Sequence, residues 1–83
     1  MHEMSIADSI LDAVRSESSR HGGAHVTKVG LLLGELAGVD RESLSFCFDA
    51  LVQGTELEPL ELDIEFRQSV DELKLHYVEL EEP

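Results

Sequence analysis

The apolar positions change period along the chain, and each change marks an element. From Ser5 the period is helical. Ile6, Ile10, Leu11 and Val14 recur at three- and four-residue spacing with Ala7 and Ala13 beside them, while Asp8, Asp12, Arg15 and Glu17 take the other side. Ser5 followed three residues later by Asp8 is a capping-box-like pair, so the pattern predicts a helix that starts at Ser5. SESSRHGG ends it, with Gly22 and Gly23 to take the left-handed conformations that close a helix. AHVTKVGLLLGEL then reads as a strand. Val26, Val29, Leu31, Leu32 and Leu33 are too many apolar positions for a surface edge, so both of its faces are expected to be partly covered. Gly34 to Gly38 reads as a loop.

Asp40 is placed to cap a second helix, with Val39 and Leu44 as a hydrophobic staple. Leu44, Cys47, Phe48, Leu51 and Val52 form its apolar stripe, and Gly54 is placed to stop it. LELDIEFR alternates with period two, which predicts a strand with Leu60, Leu62, Ile64 and Phe66 toward the core and Glu61, Asp63, Glu65 and Arg67 toward water. QSVDE reads as a turn. In LKLHYVELE the alternation slips, because Leu73 and Leu75 share one parity while Val78 and Leu80 share the other; a bulge near His76–Tyr77 would restore one apolar face. The expected fold class is therefore α+β, with two helices packed on one face of a three-stranded sheet in the order α-β-α-β-β. The two strands flanking QSVDE are expected to pair as a hairpin.

Composition narrows the partners. Eighteen acids against six bases give a net charge of −12, and ten of the acids lie from Glu56 onward against only Arg67 and Lys74. Binding to phosphate backbones requires basic patches, so neither nucleic acid nor an anionic membrane surface is an expected partner; a cation or a basic protein face fits better. Cys47 is the single cysteine, which excludes an internal disulfide and leaves no cysteine partner for a zinc site. No secretion signal and no apolar run of about 20 residues is present, so the expected compartment is the cytoplasm.

Candidate chemistry concentrates at Met1-His2-Glu3. A free terminal amine, the amide nitrogen of residue 2 and the His2 imidazole can close two fused chelate rings on one metal, and the Glu3 amide or another side chain can complete a plane. Planar nitrogen sets suit Ni(II) or Cu(II). The plain alternative is an unliganded short tail. The remaining candidates have bland readings: His21 and His25 flank a glycine-rich loop, His76 lies on a strand surface, and Cys47 sits in the helix stripe as a small buried hydrophobe. No nucleophile elbow or ordered triad is present, so an enzyme is not expected.

Three stretches, MHEMSIADSILDAV, VTKVGLLLGELAGVDRESLSFCFDALVQGTELEPLELDIEF and DELKLHYVELEEP, together resemble the hydrogenase maturation nickel metallochaperones of the HypA/HybF family over nearly the whole chain. The resemblance implies a cytoplasmic protein that binds Ni(II) at its N-terminal Met-His-Glu and, with the GTPase HypB, delivers it to the large subunit of [NiFe] hydrogenase; some relatives also serve urease. Met1 would supply the amine, His2 its imidazole and amide nitrogens, and Glu3 its amide nitrogen. Asp40 would stand just outside the metal and orient the His2 ring, or serve only as a helix cap. The family also carries a zinc domain with two Cys-x-x-Cys pairs between the last two strands. Here a short turn around 67–71 stands in its place, so residues 1–83 are expected to form a single nickel-binding domain with no zinc. A natural short form and an excised one both fit these residues. The competing function is a protein-interaction domain of the same fold that does not traffic metal.

Overall fold

The computed structural model describes residues 2–81. In chain order they form helix α1 (Glu3–Arg20), strand β1 (Val26–Gly34), a 3-10 turn (Glu35–Ala37), helix α2 (Arg41–Val52), strand β2 (Glu61–Arg67) and strand β3 (Leu73–Leu80). Both helices lie on one face of the three-stranded sheet. Ala7, Ile10, Leu11 and Val14 of α1 and Leu44, Phe48 and Val52 of α2 meet Val26, Val29 and Leu31 of β1 in one buried cluster, which Leu57 and Leu60 close from the loop before β2.

Helix α1 begins two residues earlier than the Ser5 start the sequence suggests. His2 is its N-cap, with extended backbone (φ −88°, ψ 108°), and the first helical bond runs from the Ile6 amide to the His2 carbonyl at 3.2 Å. No side chain caps this end. Glu3 explains the early start. Its carboxylate sits in the first turn, where the helix dipole favours negative charge, and it also accepts the Asp40 amide at 3.2 Å, which ties the turn to the start of α2. At the other end the Gly23 amide closes on the Ser18 carbonyl at 2.8 Å.

Helix α2 starts as expected. Asp40 Oδ1 accepts the Glu42 amide at 3.1 Å and Oδ2 accepts the Ser43 hydroxyl at 2.9 Å. Val39 packs on the same core as Leu44, which completes the staple.

The strand order is β2-β1-β3, with β2 parallel and β3 antiparallel to β1. The expected hairpin between β2 and β3 does not form. Strand β1 is the one with apolar residues on both faces, so it takes the centre, where both faces and both edges leave water. The connection at 68–72 therefore crosses the end of β1 rather than turning tightly. The Gly34 amide donates to the Glu72 carbonyl at 2.7 Å and the Leu36 amide to the Val70 carbonyl at 2.8 Å, while Glu35 Oε1 accepts the Ser69 amide at 2.9 Å. A Cβ on Gly34 would run into the Val70 carbonyl, so this crossing requires glycine.

The bulge falls where the alternation slips. Gly30 of β1 faces Tyr77 and Leu31 faces Leu75, leaving His76 as the extra residue. Leu73, Val78 and Leu80 then pack toward the helices together. Two apolar residues do not follow the simple pattern. Leu75 is 39% exposed at the outer edge of β3, and Phe66 is 45% exposed near the end of β2, with the Arg41 guanidinium 5.7 Å from its ring centroid. Both lie on edge strands, at positions the two helices do not cover.

On the face away from the helices, Tyr77 reaches across the central strand. Its ring lies against Gly30, where a Cβ would collide with it, and its hydroxyl donates to Asp63 Oδ2 of β2 at 2.5 Å. One side chain thus links both edge strands over β1. Leu32, on the same face, is only 6% exposed, so both faces of β1 are covered as its composition suggests.

Candidate metal centre

The sequence places its candidate ligands at the start of α1, and helix geometry determines which atoms are free there. The first amides of an α-helix have no carbonyl four residues back to bond. With Ile6 making the first such bond, the amides of His2 and Glu3 precede the hydrogen-bonded ladder and are not needed by it. The His2 side chain is exposed and outside the apolar stripe. Met1 lies outside the described residues.

Glu3 is partly buried, and its carboxylate is committed to the Asp40 amide across 37 positions of sequence. Asp40 in turn spends its own carboxylate on the first turn of α2. Two helix starts are thereby joined through one side chain. The sequence reading brought Asp40 to this place through His2; the structure brings it there through Glu3. Among the described residues no hydrogen bond joins the His2 ring to Asp40, although each Asp40 oxygen keeps a second lone pair. The carboxylate of Glu3 is the residue function that sequence reasoning missed. The signal for it was an acid at the first helical position, which was counted only for its main-chain nitrogen.

The charge balance at this end is informative. A bare divalent cation is disfavoured at a positive helix start. Were a metal to displace the protons of the His2 and Glu3 amides, the two negative nitrogens would balance its charge, and the Glu3 carboxylate in the first turn would offset the dipole.

The other candidates are dispersed. His21 Nδ1 donates to the Glu17 carbonyl at 2.9 Å, His25 Nε2 donates to the Pro59 carbonyl at 2.7 Å, and His76 packs edge-on to Tyr77 with ring centroids 5.7 Å apart. Cys47 is partly buried on α2, as its place in the stripe suggests. Among the described residues no three His, Cys, Asp or Glu side chains are grouped so as to hold a metal ion.

Residues 1–73 match the sequence profile of the family described as "Hydrogenase/urease nickel incorporation, metallochaperone, hypA". The chain belongs to the HypA family. It is 52% identical over 65 residues to the hydrogenase maturation factor HypA of Chlorobium limicola, covering 78% of this chain and 56% of that protein. Against HypA of Chlorobaculum tepidum the values are 51% over 65 residues, 78% and 58%. The chain thus spans a little over half the length of these HypA relatives. Two solved HypA structures share its fold at 15% sequence identity. The first, titled "Solution structure of HypA protein", superposes with a TM-score of 0.80 over 96% of each chain. The second, that of the Ni metallochaperone HypA from Helicobacter pylori, gives 0.74 over 93% of this chain and 72% of the other.

Proposed function

We propose that this chain is a nickel-binding metallochaperone domain, not an enzyme, that holds Ni(II) at Met1-His2-Glu3 and passes it to a client protein. The observation that carries this reading is the position of His2 as the N-cap of α1. It leaves an exposed imidazole and the amides of His2 and Glu3 outside the helical ladder, next to a first turn fixed by the Glu3–Asp40 bond. With the Met1 amine, the amide and imidazole of His2 would supply three nitrogens of a planar set of the kind Ni(II) accepts, the fourth place falling to the Glu3 amide or another side chain. Exchange is built into such a site. It lies at the chain surface, needs no core rearrangement, and opens whenever its amides and amine regain protons.

The family description names hydrogenase and urease, and we take these as the clients; the resemblance in sequence adds the large subunit of [NiFe] hydrogenase as the receiving chain, the GTPase HypB as the accompanying partner and the cytoplasm as the compartment. Among the described residues no helix is long and apolar enough to cross a membrane. By the resemblance, residues 67–71 stand where the family's zinc domain is inserted, and we take residues 1–83 as a nickel domain that needs no structural zinc. A domain that docks partners without moving metal is the competing reading, favoured by Phe46, which is 73% exposed on α2.

Titrating Ni(II) into metal-free protein with its native amino terminus separates the two. The proposal expects one equivalent to bind with the absorption of square-planar Ni(II). Binding that is only weak and multiple, without that band, would leave the docking reading.

A further inference from the structure

We propose that the free edge of β3 is a self-pairing surface, so that two copies of this chain join β3 to β3 antiparallel into one six-stranded sheet. Strand β3 is an edge of the β2-β1-β3 sheet, so one row of its backbone donors and acceptors lies outside the ladder. The facing of its residues follows from register with β1. Leu73, Leu75, Val78 and Leu80 stand across from Leu33, Leu31, Val29 and Val26, on the helix side. Lys74, Tyr77 and Glu79 stand across from Leu32, Gly30 and Lys28, on the open side. His76, the bulge residue, joins the open side, where its Nδ1 lies 4.0 Å from Glu65 Oε1.

From Leu73 to Leu80 the facing therefore reads helix, open, helix, open, open, helix, open, helix. That order is the same in both directions. Antiparallel pairing about the His76–Tyr77 midpoint sets Leu73 across from Leu80, Lys74 from Glu79, Leu75 from Val78 and His76 from Tyr77. Every pair matches in face, and the two bulges oppose each other, so neither strand slips. The pattern also supplies charge complementarity. Two Lys74–Glu79 pairs form across the two-fold axis, with Lys74 released from its present contact with Glu72 at 3.2 Å. The edge of β2 is less suited: pairing about Ile64 would set Asp63 across from Glu65 twice, against two Glu61–Arg67 pairs.

What flanks the β3 edge fits a second copy. An open groove of about 310 Å³ runs between α1 and β3, lined by Ser5, Ser9 and Ala13 on the helix and by Leu73 and Leu75 on the strand. The small residues recur every four positions and allow a partner's helix to come close, and Leu75, now 39% exposed, would be covered. The opposing force is the −12 charge on each copy, which about 0.15 M salt screens beyond roughly 8 Å.

Sedimentation velocity on metal-free protein in about 0.15 M salt with chelator, from about 5 to about 500 µM, tests the register. The 9.2 kDa chain should shift to twice that mass as concentration rises. Lys74→Glu and Glu79→Lys should each weaken the dimer roughly tenfold, because each sets like charges across the axis twice. An equimolar mixture of the two variants should restore it, since every crossing pair is then opposite in sign. Glu79→Lys discriminates especially well. It lowers the net charge, so general repulsion alone would make it associate better than the parent. Circular dichroism checks that both variants keep the fold; Lys74 and Glu79 are exposed. A parent that stays monomeric throughout, single variants that dimerise like the parent, or a mixture that fails to associate would each overturn the proposal.

Discussion

At the scale of the residue, the proposed nickel site gives His2 and Glu3 different parts. His2 contributes an imidazole and touches none of the buried cluster, so His2→Ala should abolish tight nickel binding and leave thermal stability within about 0.5 kcal/mol of the parent. A Ni(II) titration paired with a thermal melt measures both. Glu3 holds the first turn of α1 on the Asp40 amide. Removing that acceptor in Glu3→Ala should cost about 1 kcal/mol of stability and weaken nickel binding, because the amides then sit on a fraying turn. Glu3→Gln keeps a carbonyl oxygen to accept the same amide and should stay near the parent in stability; denaturant unfolding of the two variants distinguishes them. The sequence made His2 visible through its place beside the amino terminus. It could not reveal the Glu3–Asp40 bond, which joins two helix starts that are remote in sequence and close only after the helices pack.

At the scale of the element, what could be read from the chain was whatever is local. The cap and stripe of α2, the alternation of β2 and the slip in β3 each follow from a few neighbouring residues, and each stands in the structure except at Phe66, which the alternation turned to the core and which is 45% exposed. Strand order was not local. Alternation tells which way a side chain faces but not which strand lies beside it, so the hairpin was the wrong inference, and the apolar faces of β1 were the better guide to its central place. The same limit hid Tyr77. Its partners Gly30 and Asp63 lie on two other strands, and nothing near Tyr77 in sequence points to either. Donation to the Asp63 carboxylate is the largest cause that pushes the Tyr77 hydroxyl up to about 12, since the protonated form is the one that can donate. A folded-state value above the ordinary value of about 10 means that the bond stabilises the fold fully below about pH 10. That contribution fades as pH rises toward about 12. Tyr77 is the only tyrosine and there is no tryptophan, so the tyrosinate absorbance reports this group alone. It should titrate near about 12 in the folded protein. Asp63→Asn should bring it back toward the ordinary value, as should Gly30→Ala, whose Cβ displaces the ring. An ordinary titration in the parent would show that the clamp does not form.

At the scale of the whole molecule, a small sheet-and-helix body would carry a terminal chelate that borrows main-chain nitrogen. The body positions the start of α1, and the acid-rich surface keeps cations near the protein without fixing them. Weak nickel binding by scattered carboxylates is therefore expected as a background to the single proposed tight site. The terminal amine is what sets that site apart. A metal can displace the proton of an α-amine near neutral pH, where it titrates at about 7.7–8.0, whereas an amide in its place would have to lose a far less acidic proton. The most direct measurement is a side-by-side Ni(II) titration, by calorimetry and absorption, of the protein with its native start and of one carrying Gly-Ser before Met1. Both keep His2, Glu3 and Asp40. The account predicts one tight equivalent and a square-planar spectrum for the native start, with only the weak background for the extended chain. Equal tight binding by both would contradict it and would remove the terminal amine from the ligand set.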